Sequence, residues 1–300
     1  MADGPGTVAV LGATGCVGGA VCTTFAGQGD HVVAVARHPT PRVSRYDFVR
    51  LDVATAPPRQ IAGILAAADV RTVVNATGGW LATAQANEHH HVRLVENLLE
   101  SVALMPRRPR VVHVGSIHEY GSVAAGTAID ECVTPKPSTP YACTKLAGSQ
   151  AVLSAGGVVL RAVNVCGPHV APASFLGTVL DRLRQMTPGE QLELSIDDGQ
   201  RDFVDVRDLA DAVARAATAP VSGRVINIGR GEAVAIRELL NMLVVSAGFP
   251  ADAIRERGGP VLSRGGDWTL ADIRLARSLL GWRPLITLQD SIQQMWAAIS

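Results

Sequence analysis

The run Val8-Ala9-Val10-Leu11-Gly12-Ala13-Thr14-Gly15-Cys16-Val17-Gly18-Gly19 sets a valine-rich apolar strand directly before glycines at 12, 15 and 18. An apolar helical stretch follows, as far as the Gly27-Gln28-Gly29 breaker. Strand, glycine turn and helix open a βαβ unit of the kind that holds a dinucleotide. One glycine allows the tight turn, one lets backbone approach a pyrophosphate, and one lets the helix press on the sheet. The first N–H groups of the helix and its positive dipole end face that phosphate. With a further apolar strand at His31–Ala36, the expected cofactor cradle is Gly12, Thr14, Gly15, Cys16, Val17 and Gly18.

The rest of the first half repeats this rhythm. Phe48–Leu51, Thr72–Asn75, Arg110–Gly115 and Val158–Arg161 are β-rich, and Pro57–Ala68, Ala84–Leu104 and Ser138–Leu153 have helical patterns. Alternation of this kind predicts a Rossmann-type, doubly wound parallel sheet covered on both faces. After Gly167-Pro168 the rhythm changes: a helix at Phe175–Arg184, an isolated strand at Leu192–Ile196, a helix at Val206–Ala217, a strand at Arg224–Ile228, and helices at Ile236–Ser246 and Leu288–Ile299. The expected division is a dinucleotide domain of residues 1–165 plus about 203–228. Residues 166–202 and 229–300 form a smaller, partly interleaved substrate lobe.

Composition narrows the classes. A net charge of zero argues against a nucleic-acid or anionic-membrane surface. No segment approaches the roughly 18 unbroken apolar residues of a spanning helix, and Met1–Gly6 lacks a signal-peptide pattern, so a cytoplasmic protein is expected. The five cysteines show no metal or redox spacing. His89-His90-His91 invites a metal reading, but consecutive helical residues point about 100° apart, so no metal site is expected.

Tyr141 and Lys145 stand one helical turn apart in Thr139-Pro140-Tyr141-Ala142-Cys143-Thr144-Lys145. A phenol is a poor acid or base near neutrality unless a cation stabilises its anion, and a lysine one turn away supplies the charge. With three tyrosines and only Lys136 and Lys145 as lysines, chance gives this spacing about two times in a hundred. A compact ammonium can sit against both a ribose and a phenol, where a planar guanidinium would fit differently. Upstream, Val111-Val112-His113-Val114-Gly115-Ser116 is a strand ending in a hydroxyl, at the edge where such sheets bind ligands.

The glycine spacing, the strand-end serine and Tyr141-x-x-x-Lys145 together resemble the extended short-chain dehydrogenase/reductase family. Its sugar-nucleotide branch is indicated by Arg161-Ala-Val-Asn164-Val-Cys-Gly167-Pro168, Gly199-Gln-Arg201-Asp202-Phe203-Val204-Asp205, Arg264-Gly-Gly-Asp267 and Leu279-Leu-Gly281-Trp282. The resemblance implies Ser116, Tyr141 and Lys145 as catalytic residues, with Tyr141 and Lys145 also against the cofactor. It puts Asn164, Arg201 and Arg264 around a sugar-linked diphosphate, and implies a homodimer through the fourth and fifth helices. Dehydratases of the branch carry Thr-Asp-Glu where this chain has Ser116-Ile117-His118, and isoleucine can be neither acid nor base. The Ser-x-His-Glu-Tyr-Gly version is similar to the 4-ketoreductases of nucleotide-diphosphate 4-keto-6-deoxyhexoses, with His118 near the sugar. The expected activity is therefore NADPH-dependent reduction of the 4-keto group of a TDP-linked deoxyhexose, in deoxysugar supply for natural-product glycosylation. A tightly bound NAD serving a 4-epimerase and a non-enzymatic NADP sensor are the alternatives.

Two departures from the family pattern matter. Strand two ends Val35-Ala36-Arg37-His38 with no carboxylate for a ribose hydroxyl, and Arg37 suits a 2′-phosphate, so NADP(H) is expected over NAD. Asp52 and Val53 would edge the adenine, and Asn75 and Ala76 the ribose side. By register with Asn97-Leu98-Leu99-Glu100, His91 holds the place of a family asparagine, where it could relay a proton.

Overall fold

The structure is a computed structural model, which describes residues 6–81, 83–187, 189–257 and 266–299. Runs of valine and alanine too short for helices, bounded by glycine and proline, become the strands of a buried sheet. In order these are β1 (Thr7–Leu11), α1 (Cys16–Gly27), β2 (His31–Ala36), β3 (Asp47–Arg50), α2 (Pro58–Ala67) and β4 (Val70–Asn75). There follow α3 (Ala84–Glu88), α4 (Leu94–Ala103), β5 (Arg110–Ser116), α5 (Pro140–Ser154) and β6 (Val158–Ala162).

The single helix expected over Ala84–Leu104 is interrupted: a π-helical turn at His89–Arg93 joins α3 to α4. One extra residue per turn is a device common at functional sites. It sends the three histidines to three different neighbours. His89 faces Asp52 at 3.8 Å, His90 faces Arg37 at 3.3 Å, and buried His91 meets the Thr144 hydroxyl at 2.8 Å.

Beyond β6 the chain forms β7 (Asn164–Cys166), α6 (Phe175–Gln185), β8 (Leu192–Leu194), β9 (Gln200–Asp205), α7 (Val206–Thr218) and β10 (Arg224–Ile228). It closes with β11 (Ala233–Ala235), α8 (Ile236–Ser246), β12 (Ile254–Glu256), β13 (Trp268–Thr269), α9 (Arg274–Leu280) and α10 (Leu288–Ala297). The main sheet has seven parallel strands in the order β10-β6-β5-β4-β1-β2-β3. The winding direction reverses between β1 and β4, so a ligand crevice opens beyond their carboxyl ends. One face is covered by α1, α7 and α9, through Val21, Phe25, Leu209, Val213 and Leu280. The other is covered by α2, α4 and α5, through Ile61, Leu65, Leu98 and Val152.

The second lobe has its own core, built by α6, α8 and α10 from residues such as Leu180, Leu240 and Ile292. The strand expected to stand alone, β8, pairs with β12. The packing divides the chain differently from the sequence division at three places, the first being Asn164 and Val165 of β7, which pair with β9 in the second lobe's sheet. Phe203–Asp205 belong to β9 in the second lobe's sheet. Ala271–Trp282, assigned by sequence to the second lobe, return to the first: Ile273, Ala276, Leu280 and Trp282 lie in its core. Trp282 is anchored there by a 2.9 Å bond from its indole N–H to the Asp208 carbonyl. Among the described residues, no helix is long and apolar enough to cross a membrane.

Candidate active site

Glycine 12 has φ +77°, a left-handed turn that ends β1 without a Cβ penalty. A Cβ on Gly18 would lie 2.1 Å from the Gly12 carbonyl oxygen, so only glycine lets α1 close on the turn. Gly15 caps α1 without a side-chain hydrogen bond, which leaves the first-turn amides of the helix open to an anion. This cradle opens into a cleft of about 970 Å³ between the lobes. Gly12, Thr14, Gly15, Cys16 and Val17 line it, with Arg37, Asp52 and Val53 on the side of β2 and β3 and Ala76 just past the end of β4. Ser116, His118, Tyr141, Lys145, Asn164 and Arg201 line the opposite part. Gly18 does not line it; its part is the close approach just described.

The chemistry-bearing residues arrive from two elements. Strand β5 ends at Ser116, where a capping box turns the chain: Glu119 accepts the Ser116 N–H at 2.8 Å, and the Ser116 hydroxyl accepts from His118 N–H at 3.3 Å. Helix α5 starts at a Thr139 cap and carries Tyr141 and Lys145 on its buried face. Lys145 is 2% exposed, its ammonium donates to the Val114 carbonyl at 2.7 Å, and burial pushes its pKa down to about 8. Burial raises the Tyr141 phenol to about 12, partly offset by a hydrogen bond with Ser116. In the protein as it stands the ammonium is turned to the Val114 carbonyl, and the indole of Trp80 is stacked on the phenol ring at 4.0 Å and 16°.

Burial followed by the Arg201 charge lowers His118 to about 4, so it is a neutral hydrogen-bonding group at physiological pH. Arg201 is engaged by the Asp197 carboxylate and by the Gly266 carbonyl, while the Asn164 amide donates to the Asp202 carbonyl at 3.1 Å. Arg264 lies outside the described residues. Arg37 is exposed at the cleft rim, beside His90. Asp52 accepts the Ala54 N–H at 3.1 Å. Asn75 departs from expectation: its buried side chain is bound to His113 at 3.0 Å and to Thr77, beneath the cleft rather than lining it. It shapes the loop after β4 and leaves Ala76 to line the crevice.

Sequence reasoning missed two features. Trp80 lines the cleft and follows two glycines just past a strand end, a position where such loops meet ligands. Glu119 is fully buried against Arg161 at 2.7 Å and Ser149 at 2.9 Å, and braces the turn that presents Ser116. The sequence signal for it was only an acidic residue in an otherwise apolar strand-end motif.

A doubly wound sheet, a glycine cradle and a tyrosine–lysine pair across one cleft define a dinucleotide-binding fold with a second lobe against the cleft. The model of the NAD dependent epimerase/dehydratase family matches residues 8–229, and the chain belongs to this family. It is 34% identical to a dTDP-6-deoxy-L-talose 4-dehydrogenase (NAD(P)(+)) of Kitasatospora kifunensis, over 99% of this chain and 96% of that one. It is 29% identical to the GDP-6-deoxy-D-mannose reductase of Pseudomonas aeruginosa, over 66% of this chain and 68% of that one. A variant of the UDP-glucuronic acid 4-epimerase of Bacillus cereus, solved with NAD and a fluorinated sugar nucleotide, has the same fold. Its TM-score is 0.84 at 22% identity, covering 98% of each chain.

Proposed function

We propose that the protein is a 4-oxidoreductase of a dTDP-linked 6-deoxyhexose, acting as a ketoreductase with NADPH. The observation that carries this reading is the convergence of Ser116, Tyr141 and Lys145 on one cleft, with Ile117 and a neutral His118 in place of a second acid–base pair. That set can move one proton at one oxygen and cannot drive a dehydration. The dehydrogenase relative at 34% identity is named for oxidation at C4 of a dTDP-linked 6-deoxyhexose, the same type of reaction in the opposite direction. A nicotinamide dinucleotide, when bound, supplies the hydride.

The chain's own residues do the rest. Tyr141, raised to about 12, is a neutral phenol at physiological pH and ready to give its proton to the developing alkoxide. Ser116 donates a hydrogen bond to the same oxygen. Lys145, protonated below about 8, anchors a ribose beside the phenol. Arg37 supports NADP(H) through the 2′-phosphate, with Asp52 and Val53 at the adenine. Asn164, Arg201 and Arg264 take the sugar diphosphate, where arginine offers forked, permanently charged donors. A homodimer through α4 and α5 is part of the same reading.

The test is oxidation of NADPH and of NADH by the purified protein with dTDP-4-keto-6-deoxyglucose. Stoichiometric NADPH consumption with formation of a dTDP-6-deoxyhexose supports the reading. Purified protein that carries bound NAD and interconverts dTDP-sugar epimers without net cofactor consumption replaces it with a 4-epimerase.

A further inference from the structure

Tyr141 must reach a sugar carbonyl, yet its side chain is nearly closed off: the residue is 8% exposed. Its cover is Trp80, whose indole lies parallel on the phenol ring with centroids 4.0 Å apart and planes 16° apart. His118 meets the same indole edge-on, at 5.7 Å and 68°. Trp80 itself remains 38% exposed and lines the cleft. The indole therefore occupies the space beside Tyr141 and His118 where a hexose ring would have to sit.

The loop that carries Trp80 is closely packed at Gly78 and has room beside Gly79. Gly78 has φ +108°, and a Cβ there would press within 2.9 Å of the His91 ring and 3.2 Å of the Lys145 ammonium. Around Gly79 nothing lies within 4 Å of the corresponding point. Glycine at 79 leaves the backbone permissive at the point where the indole must turn off Tyr141. An indole face is broad and apolar, with its single polar N–H at the edge. A sugar hydroxyl pressed on that face would be stripped of water and left unpaired, whereas a methyl or methylene would not.

We propose that Trp80 is the specificity wall of the site: an entering hexose displaces its indole from Tyr141, and the indole then lies along the sugar's C–H face, favouring deoxygenated hexoses. This rests on the nucleotide-sugar reading above and adds the residue that selects among such sugars. Apolar walls discriminate a single added hydroxyl by about ten- to a hundredfold.

The experiment uses two probes that differ by one hydroxyl, dTDP-D-glucose and dTDP-6-deoxy-D-glucose, with dTDP alone as reference. Affinities are measured by calorimetry on the full chain for wild type, Trp80→Ala and Trp80→Phe. Wild type is expected to bind the 6-deoxy sugar at least about tenfold more tightly than its 6-hydroxyl counterpart. Trp80→Ala should reduce that ratio to about threefold or less with dTDP affinity unchanged, and Trp80→Phe should keep most of it. Of the four tryptophans Trp282 is buried, Trp268 is tied to the Thr127 carbonyl and Trp296 packs against the second core, so Trp80 is also the fluorescent reporter in the cleft. Its emission should respond to the sugar nucleotides and not to dTDP. A ratio that survives in Trp80→Ala, or no discrimination by wild type, overturns the assignment of Trp80 while the nucleotide-sugar reading stands. Loss of all dTDP affinity in wild type overturns both.

Discussion

At the scale of single residues, the proposed chemistry rests on one phenol and one ammonium displaced in opposite directions. Burial holds Tyr141 up at about 12 and Lys145 down at about 8. The sign follows directly: the phenol stays protonated across the working range, while the ammonium is present below about 8 and is lost as pH rises through it. Reduction should therefore show kcat/KM falling along a limb near pH 8, measured with saturating NADPH. Tyr141→Phe removes the proton and little else, so kcat should drop by about 10²–10⁴ while NADPH binding persists. A variant that retains more than half of wild-type kcat would sink this role. At the rim, Arg37→Ala should weaken NADPH by about 1.5–3 kcal/mol and leave NADH nearly unchanged, as read by paired titrations.

At the scale of elements, the site depends on two turns that only particular residues permit. The first is the β1–α1 turn, where the Gly18 Cα faces the Gly12 carbonyl too closely for any side chain. The second is the turn after β5, braced by Glu119 beneath Ser116. Glu119 and Arg161 form a buried ion pair, with the Arg161 guanidinium also 4.3 Å over the Tyr120 ring. Removing one partner strands the other charge in the interior. Glu119→Ala should therefore cost about 3–5 kcal/mol in urea unfolding. A loss under about 1 kcal/mol would show that the pair is relieved by solvent and does not brace the turn.

At the scale of the molecule, ligands that fill the cleft would bridge the two lobes. Cys16 in the glycine turn approaches the Pro168 carbonyl at 3.7 Å, and the cleft is lined from both cores. Ligands that span it should stabilise the whole chain. At a hundred times Kd, NADPH or dTDP each contributes about 2.7 kcal/mol. For a chain of this size that is a rise in Tm of roughly 4 °C. Arg201→Ala should lose the dTDP increment and keep the NADPH increment in thermal-shift measurements. Equal loss of both would place Arg201 in the support of the fold rather than in the grip on the diphosphate.

Much of this molecule was legible in its local pattern, because local pattern is where the relevant physics acts. Glycine spacing, valine runs and the Tyr141–Lys145 turn depend on backbone sterics and helical periodicity, which a few neighbouring residues decide. From these came the parallel sheet, the cradle and the Ser116–Tyr141–Lys145 set. What needed tertiary structure was everything set by contact between distant segments. The contacts of His89, His90 and His91 with Asp52, Arg37 and Thr144, the return of Ala271–Trp282 to the first core and the Asn75–His113 bond each join residues that no local period relates. So do the Glu119–Arg161 pair and the indole of Trp80 on Tyr141, which lie 42 and 61 positions apart along the chain. Burial sets the proton affinities of Tyr141, Lys145 and His118, and burial is a property of the packed molecule: the sequence by itself determined which groups could do the chemistry, and tertiary packing decided their charge and their access to substrate.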